Sequence, residues 1–368
     1  MHILFITPTS TQIIGFRKSL ILELQSRGHK VSAIAFDEDN REQVERLGVD
    51  LFYVKAQNRS LNIIQTLTLK KRIARAIYEQ NPDIVFTFML KPNTFGVLAA
   101  NKARINNIYS MVEGAGDVFI KNGLKWKLIR KIVCHLYRKS FRLSKKVFFL
   151  NNDDKAEFIE RKLVNEKQCE VVYGIGVDLE HFAYKPVKND RTFLMIARML
   201  KTKGVFEYCE CARLVKQKYP DAVFNYLGAE GDIKLSDIDE HIKDSSINYL
   251  GTTNDVRPYL ENSTVYVLPS YREGMPVSIM EAESIGRGII AFDTNGCRDT
   301  VIDGYNGFLV GKKDVKTMAE KCIYAIEHFE EMILMGQNAR KFAEKNFDAN
   351  RINEEIIQTI IGDRLEDA

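Results

Sequence analysis

Short apolar runs recur along this chain at residues 2–7, 31–36, 50–54, 84–88 and 107–112, and helix-like segments separate them. Strands alternating with helices at this spacing predict a parallel sheet covered on both faces, an α/β fold. Such a sheet binds ligands beyond the carboxyl ends of its strands, so the loops after Thr7, Phe88 and Val112 are the first places to look for a site. The pattern continues through strands at 147–150 and 169–173, meets a linker at 184–191, and resumes with strands at 192–197, 223–227, 247–250 and 265–268. A chain of 368 residues exceeds what one hydrophobic core supports, and two domains are expected, 1–185 and 190–346.

Composition narrows the function classes. With 45% hydrophobic and 28% charged residues the chain reads as an ordinary soluble globular protein. No apolar run is long enough to span a membrane, and the opening run 3–6 is too short and lacks the basic flank of a signal peptide, so cytoplasmic residence is expected. The six cysteines form no CxxC pair and the six histidines no metal-ligand spacing; they read as reduced thiols with no metal site.

The net charge of +4 conceals a division: residues 1–186 carry 30 Lys and Arg against 19 Asp and Glu, the remainder 23 against 30. A basic half suits nucleic acid or an anionic membrane. No helix-turn-helix, zinc-finger or RNP signature is present, so the expected partner is the membrane surface rather than nucleic acid. The stretch 121–146 sharpens this, with ten Lys and Arg and no acidic residue. Its apolar residues Leu124, Leu128, Ile132, Leu136 and Phe141, with Trp126, Ile129 and Val133, follow helical spacing, while Lys125, Lys127, Arg130 and Lys131 occupy other faces. A basic amphipathic helix with a tryptophan fits a membrane interface.

In the second half, residues 265–286 (VYVLPSYREGMPVSIMEAESIG) read as a buried strand, a turn punctuated by Pro and Gly, and a helix opened by Pro276. Glu273 lies in the turn and Glu281 about two turns into the helix, so both can face one molecule. Between them Gly274, Met275, Pro276 and Val277 present the backbone at a helix N-terminus, where peptide dipoles favour an anion such as phosphate. A carboxylate accepts from vicinal hydroxyls. An anionic diphosphate flanked by two polyhydroxylated rings, a nucleotide sugar, has this chemistry, with Glu281 toward the ribose and Glu273 toward the hexose.

The stretch resembles the retaining glycosyltransferases of family 4, whose signature is P-S-x-x-E-G-x-P-x-x-x-x-E-A. Residues 196–204 (IARMLKTKG) match the family's A-R-x-x-x-x-K-G segment, residues 173–178 (YGIGVD) its G-x-x-x-D, and residues 303–310 (DGYNGFLV) its D-G-x-N-G-x-L-V. The resemblance implies the GT-B architecture of two Rossmann-like domains facing across a cleft, the first for the acceptor and the second for the nucleotide sugar, with a last helix from 348 packing back on the first domain. It implies that Arg198 and Lys203 clamp the donor diphosphate, that Glu273 positions the donor sugar, and that no metal or other cofactor takes part.

Residues 93–100 (NTFGVLAA) and 112–116 (VEGAG) are similar to a narrower group, bacterial enzymes that add N-acetylgalactosamine to an undecaprenyl-diphosphate-linked sugar. This implies an acceptor site at Arg17, Asn93 and Thr94, approached along the helix with Lys125, Trp126, Lys127, Arg130 and Lys131. Many family members wrap the diphosphate with a Gly-Gly pair after the first strand. Here the loop reads Pro8 to Gly15, so Gly15 and the Thr and Ser hydroxyls stand in for it. Glu113 stands where many members have a histidine, and it either accepts the acceptor's proton or orients the donor sugar.

The expected function is transfer of an N-acetylhexosamine from a UDP-sugar to a polyprenyl-diphosphate-linked sugar by a protein peripherally attached to the inner membrane face. Two readings compete: a UDP-N-acetylglucosamine 2-epimerase of similar architecture, and a non-catalytic membrane-associated subunit that binds a nucleotide sugar.

Overall fold

The computed structural model describes residues 1–55, 63–114, 116–120 and 123–365. Ala115 of the glycine-flanked loop and residues 121–122 of the basic stretch lie outside them. The chain divides into two units, Met1–Ile175 with Asn350–Ala368, and Gly176–Ala349.

The first unit holds a seven-stranded sheet of β1 (His2–Ile6), β2 (Lys30–Ala35), β3 (Asp50–Tyr53), β4 (Ile84–Phe88), β5 (Ile108–Val112), β6 (Lys146–Phe149) and β7 (Cys169–Val171), ordered β3-β2-β1-β4-β5-β6-β7. Every pairing is parallel. Burial on both faces explains why these strands are nearly continuous apolar runs, and β4 and β5 are buried at every position. One cluster gathers Leu4, Ile34 and Val85 under Ile73 and Ile77. Another sets Val112 and Phe149 against Val133, Tyr137 and Phe158.

The second unit holds six parallel strands: β8 (Thr192–Ile196), β9 (Val223–Leu227), β10 (Asn248–Tyr249), β11 (Val265–Leu268), β12 (Gly288–Phe292) and β13 (Gly307–Val310), ordered β10-β9-β8-β11-β12-β13. In both sheets the order reverses beside the first strand of the unit, which opens a crevice at the carboxyl edge for a ligand.

The division falls ahead of the linker expected at 184–191. The Val177 backbone N–H donates to Phe347 and its carbonyl accepts from Ala349, which fastens residues just past 175 into the second unit. Lys185 donates to Ile285, and the fully buried Arg287 donates to the carbonyls of Lys185, Pro186 and Ser263. The expected linker is therefore anchored chain. Helix Ala349–Leu365 falls almost wholly within the first unit, where Glu354 pairs with Arg27.

Other boundaries moved for tertiary reasons. Where the sequence pattern offers one helix-like segment between the first two strands, the structure has two helices, Ser10–Phe16 and Lys18–Ser26, interrupted at Arg17, whose side chain turns inward. The helical segment between β4 and β5 begins as a wide π-turn, Pro92–Gly96, and continues as Val97–Lys102. Asn93 is drawn into the core there, donating to the Met111 carbonyl at 2.7 Å. All six cysteines are free, and no helix among the described residues is long and apolar enough to cross a membrane.

Candidate functional site

In the second unit the expected donor-binding residues lie after β8 and β11, at the carboxyl ends of the strands. After β8 the chain is held down tightly: Ala197 donates to Leu227 and Met199 to Ala229, while the hydroxyls of Tyr226 and Tyr266 donate to the carbonyls of Ala197 and Ile196. A short 3-10 turn, Lys201–Lys203, then delivers Lys203, and Gly204 turns the chain into helix Val205–Lys218.

Gly204 has φ +75, and a Cβ there would stand 2.1 Å from the Pro269 carbonyl oxygen. Both the backbone angle and the space therefore require glycine. Gly204→Ala is expected to cost more than about 1 kcal/mol, because the turn must leave β11 and Lys203 moves with it. Chemical denaturation of the full chain checks this, and unchanged stability would mean that the turn is soft.

β11 leads through Pro269 to Glu273, and helix Val277–Ile285 follows. Pro276 is the residue before this helix rather than its first helical residue, with extended ψ of 105 and no side-chain cap. Ile279 and Met280 donate to the Pro276 carbonyl. Among the described residues the backbone N–H groups of Val277 and Ser278 have no protein acceptor. They are the orphan donors of an uncapped helix start, which suits an anion.

The Glu273 backbone is fixed by its N–H to the Asn295 carbonyl at 2.9 Å. Gly296, at φ +79, lies so close that a Cβ would meet the Glu273 carbonyl oxygen at 2.6 Å. Sequence reasoning passed over this support, although the Asn-Gly pair just after an apolar strand is a turn signal.

Lys203 and Glu273, assigned separately from the sequence to a diphosphate and a hexose, meet here: Nζ lies 2.5 Å from Oε1, and the carboxylate side is 11% exposed. Arg198 stands nearby on the same loop, exposed, with Nε donating to the Glu230 carbonyl at 3.4 Å. Glu281 is half-buried and, among the described residues, its carboxylate has no hydrogen-bond or ion-pair partner. Loss of hydration pushes it up to about 8. Two residues on, Glu283 is wholly buried, accepts from Asn306 at 2.6 Å, and is pushed well above the carboxylate range by burial. It ties the helix to the 303–310 segment and takes no part in a solvent-facing site.

In the first unit the structure brings Arg17 and Glu113 together as an ion pair at the carboxyl edge of β4 and β5. The Arg17 side chain is 2% exposed and its guanidinium lies 4.2 Å from the centroid of the Phe88 ring. Burial draws Arg17 down to about 9, which leaves the guanidinium charged at neutral pH. Arg17, expected at an acceptor diphosphate, and Glu113, expected to take a proton or orient a sugar, are each other's partner in the structure.

Several expected ligand contacts are structural. Asn93 is fully buried and bonded to Thr87 and Met111, while Thr94 is buried with its hydroxyl on the Leu90 and Lys91 carbonyls. Gly15 lies inside a helix with open space where a Cβ would stand, so nothing local demands a glycine, and Ser10 is tied to Asp37. Helix begins at Ser10, so most of the stretch expected as a loop, Pro8 to Gly15, is helical.

Helix Leu124–Phe141 also sorts differently from its expected faces. Trp126 and Ile129 pack on the core with Val133, and Arg130 donates to the Val118 carbonyl at 2.8 Å, so Trp126 and Arg130 serve packing. Lys125, Lys127 and Lys131 are exposed, as are Leu124 at 85%, Leu128 at 62% and Ile132 at 50%. Among the described residues no group of three His, Cys, Asp or Glu side chains is placed to hold a metal ion.

Comparison with known proteins bears on both units. Residues 18–181 match the family model described as glycosyltransferase family 4, and residues 177–342 the one described as glycosyl transferases group 1. The chain is 29% identical to N,N'-diacetylbacillosaminyl-diphospho-undecaprenol alpha-1,3-N-acetylgalactosaminyltransferase of Campylobacter jejuni, over 97% of its own length and 96% of that protein's. It is 26% identical to UDP-Gal:alpha-D-GlcNAc-diphosphoundecaprenol alpha-1,3-galactosyltransferase of Escherichia coli, over 79% and 78% of the two chains. Among solved structures, HepE of Anabaena in complex with UDP is similar with a TM-score of 0.81 at 18% identity, covering 98% of this chain and 100% of that one.

Proposed function

Given that this chain belongs to the family 4 glycosyltransferases and has their GT-B fold, we propose that it transfers an N-acetylhexosamine, N-acetylgalactosamine in the first instance, from a UDP-sugar to a polyprenyl-diphosphate-linked sugar. The observation that carries the donor half is the meeting of Lys203 and Glu273 beside the orphan N–H groups of Val277 and Ser278, with the unpartnered Glu281 farther along the same helix. A diphosphate takes Lys203, Arg198 and the helix N-terminus. Glu281 accepts the ribose hydroxyls, and Glu273 is then left to orient the sugar. The similarity to two transferases whose names specify undecaprenyl-diphosphate acceptors supports the acceptor half.

In this reading the donor's C1–O bond to the β-phosphate breaks while the acceptor hydroxyl oxygen bonds C1 from the same face. The departing phosphate oxygen takes the hydroxyl proton. Lys203, Arg198 and the helix N–H groups stabilise the charge that develops on the leaving UDP, in place of a metal. The anomeric configuration is retained. The reaction takes place at the inner membrane face, with the exposed Leu124, Leu128 and Ile132 and the neighbouring Lys125, Lys127 and Lys131 touching the leaflet. Transfer in the presence of EDTA, followed by the anomeric coupling constant of the product, tests metal independence and retention together. An inverted product or an absolute requirement for a divalent ion would overturn that part of the proposal.

Glu281 gives this site a pH signature. Its raised pKa means the folded second unit holds a proton that the unfolded chain has released, so this group's contribution to stability falls as pH rises from the usual carboxylate range through about 8. The ribose hydroxyls donate to the ionised form, so binding runs the other way. UDP-sugar affinity is expected to rise by up to about tenfold per pH unit up to about 8, with a proton released on binding below that. Calorimetry in two buffers of different ionisation enthalpy reads the proton, and Glu281→Gln is expected to flatten the dependence. A flat profile in the unaltered protein would remove Glu281 from the ribose.

A further inference from the structure

Helix Leu124–Phe141 begins beside the carboxyl edge where Glu113 stands and ends just ahead of β6, at the opposite edge of the sheet. At that far end, between it and helices Ile63–Gln80 and Val97–Lys102, lies a cavity of about 900 Å³. Among the described residues Lys70, Lys102, Arg138, Lys139 and Arg142 line it and no carboxylate does, while Leu98 and Leu143 supply apolar wall. Among the described residues none of the five cations forms an ion pair. Arg138 is nonetheless held in place, donating to the carbonyls of Lys162 and Arg161 at 3.0 and 3.3 Å. Arg138 and Arg142 also line a second cavity of about 400 Å³, with Lys162. Five uncompensated cations around one concavity repel each other and concentrate positive potential, which a bound anion relieves.

The neighbouring helix face indicates which anion. Leu124, Leu128, Ile132, Lys139 and Arg142 fall on one face at helical spacing, so an exposed apolar stripe runs directly into the basic cavity. If the stripe enters the acyl region, the cavity sits at head-group level. We propose that this cavity binds the phosphodiester head group of an anionic glycerophospholipid and so anchors the first unit to the leaflet, at the end of the helix remote from Glu113. A soluble phosphate offers the same charge but leaves the apolar stripe without a partner, so the lipid is the occupant. This inference rests on the membrane contact proposed above, and it adds a specific lipid site distinct from the acceptor's diphosphate.

The test uses the full chain with vesicles of phosphatidylcholine alone and of phosphatidylcholine with phosphatidylglycerol, plus native mass spectrometry to count retained lipid. The unaltered protein is expected to bind only the mixed vesicles and to retain phosphatidylglycerol. Lys125→Gln with Lys127→Gln, which removes two charges outside the cavity, is expected to weaken binding about thirtyfold and still retain the lipid. Lys102→Gln with Arg142→Gln is expected to weaken binding at least about tenfold more than that and to lose the retained lipid. Equal loss in the two double variants, with lipid retained in both, would overturn the site. Competition by glycerol phosphate at low concentration would make it a soluble-phosphate site and overturn the lipid assignment. Retention of phosphatidylglycerol monomers without vesicle binding would uphold the cavity while refuting the membrane contact on which Leu124, Leu128 and Ile132 were placed.

Discussion

Lys203→Ala is expected to lower kcat for sugar transfer by roughly a hundredfold to a thousandfold, the range seen when one preorganised charge-stabilising donor is removed. The fall should appear mainly in kcat, since the backbone N–H groups of Val277 and Ser278 and the exposed Arg198 remain to hold the ground-state diphosphate. A purely structural Lys203 would behave differently. Its task would then be to neutralise Glu273, 2.5 Å away, and the lost rate would follow a loss of folded protein. The variant is instead expected to stay folded and to bind UDP within about tenfold of the unaltered protein while turnover falls. A fall in rate fully accounted for by unfolding of the second unit would refute the diphosphate role.

Arg17→Ala is expected to destabilise the first unit by about 3–5 kcal/mol, the cost of leaving a buried carboxylate without its partner. The Arg17 side chain is 2% exposed and that of Glu113 11%, so water cannot readily take the place of the guanidinium. Arg17→Met with Glu113→Gln removes both charges and keeps the volume, and it should recover most of the stability. Denaturation followed by a probe in the first unit separates the two variants. An Arg17→Ala protein as stable as the parent would show that the pair is solvated.

What was legible in the sequence was whatever depends on local pattern. Strands buried on both faces appear as apolar runs, and the Pro and Gly of residues 269–276 mark the turn that places Glu273 ahead of its helix. The family motif A-R-x-x-x-x-K-G drew attention to Arg198 and Lys203, and the loop after β8 carries both. What was not legible depends on contacts between residues distant in the chain. Nothing near Arg17 tells that its guanidinium turns inward onto Phe88 and Glu113, and that turn is what interrupts the expected helix.

Asn93 and Thr94 have side chains equally suited to a ligand or to a core hydrogen bond. Only the folded positions of Met111 and Leu90 decide for the core. The helix over 124–141 carries two apolar stripes, one with Trp126, Ile129 and Val133 and one with Leu124, Leu128 and Ile132. Periodicity reveals both and does not say which faces the sheet. The tryptophan, the expected membrane anchor, packs on the core, and the aliphatic stripe faces outward.

The reaction proposed for this protein is sugar transfer from a UDP-donor to a lipid-linked acceptor. The most direct measurement is the mass of the product after incubation of the full chain with a panel of UDP-sugars and a short-chain polyprenyl-diphosphate amino sugar, with EDTA present. A single N-acetylhexosamine is expected to be added, with UDP-N-acetylgalactosamine the preferred donor. Measurable UDP binding with no transfer from any donor to this acceptor would contradict it.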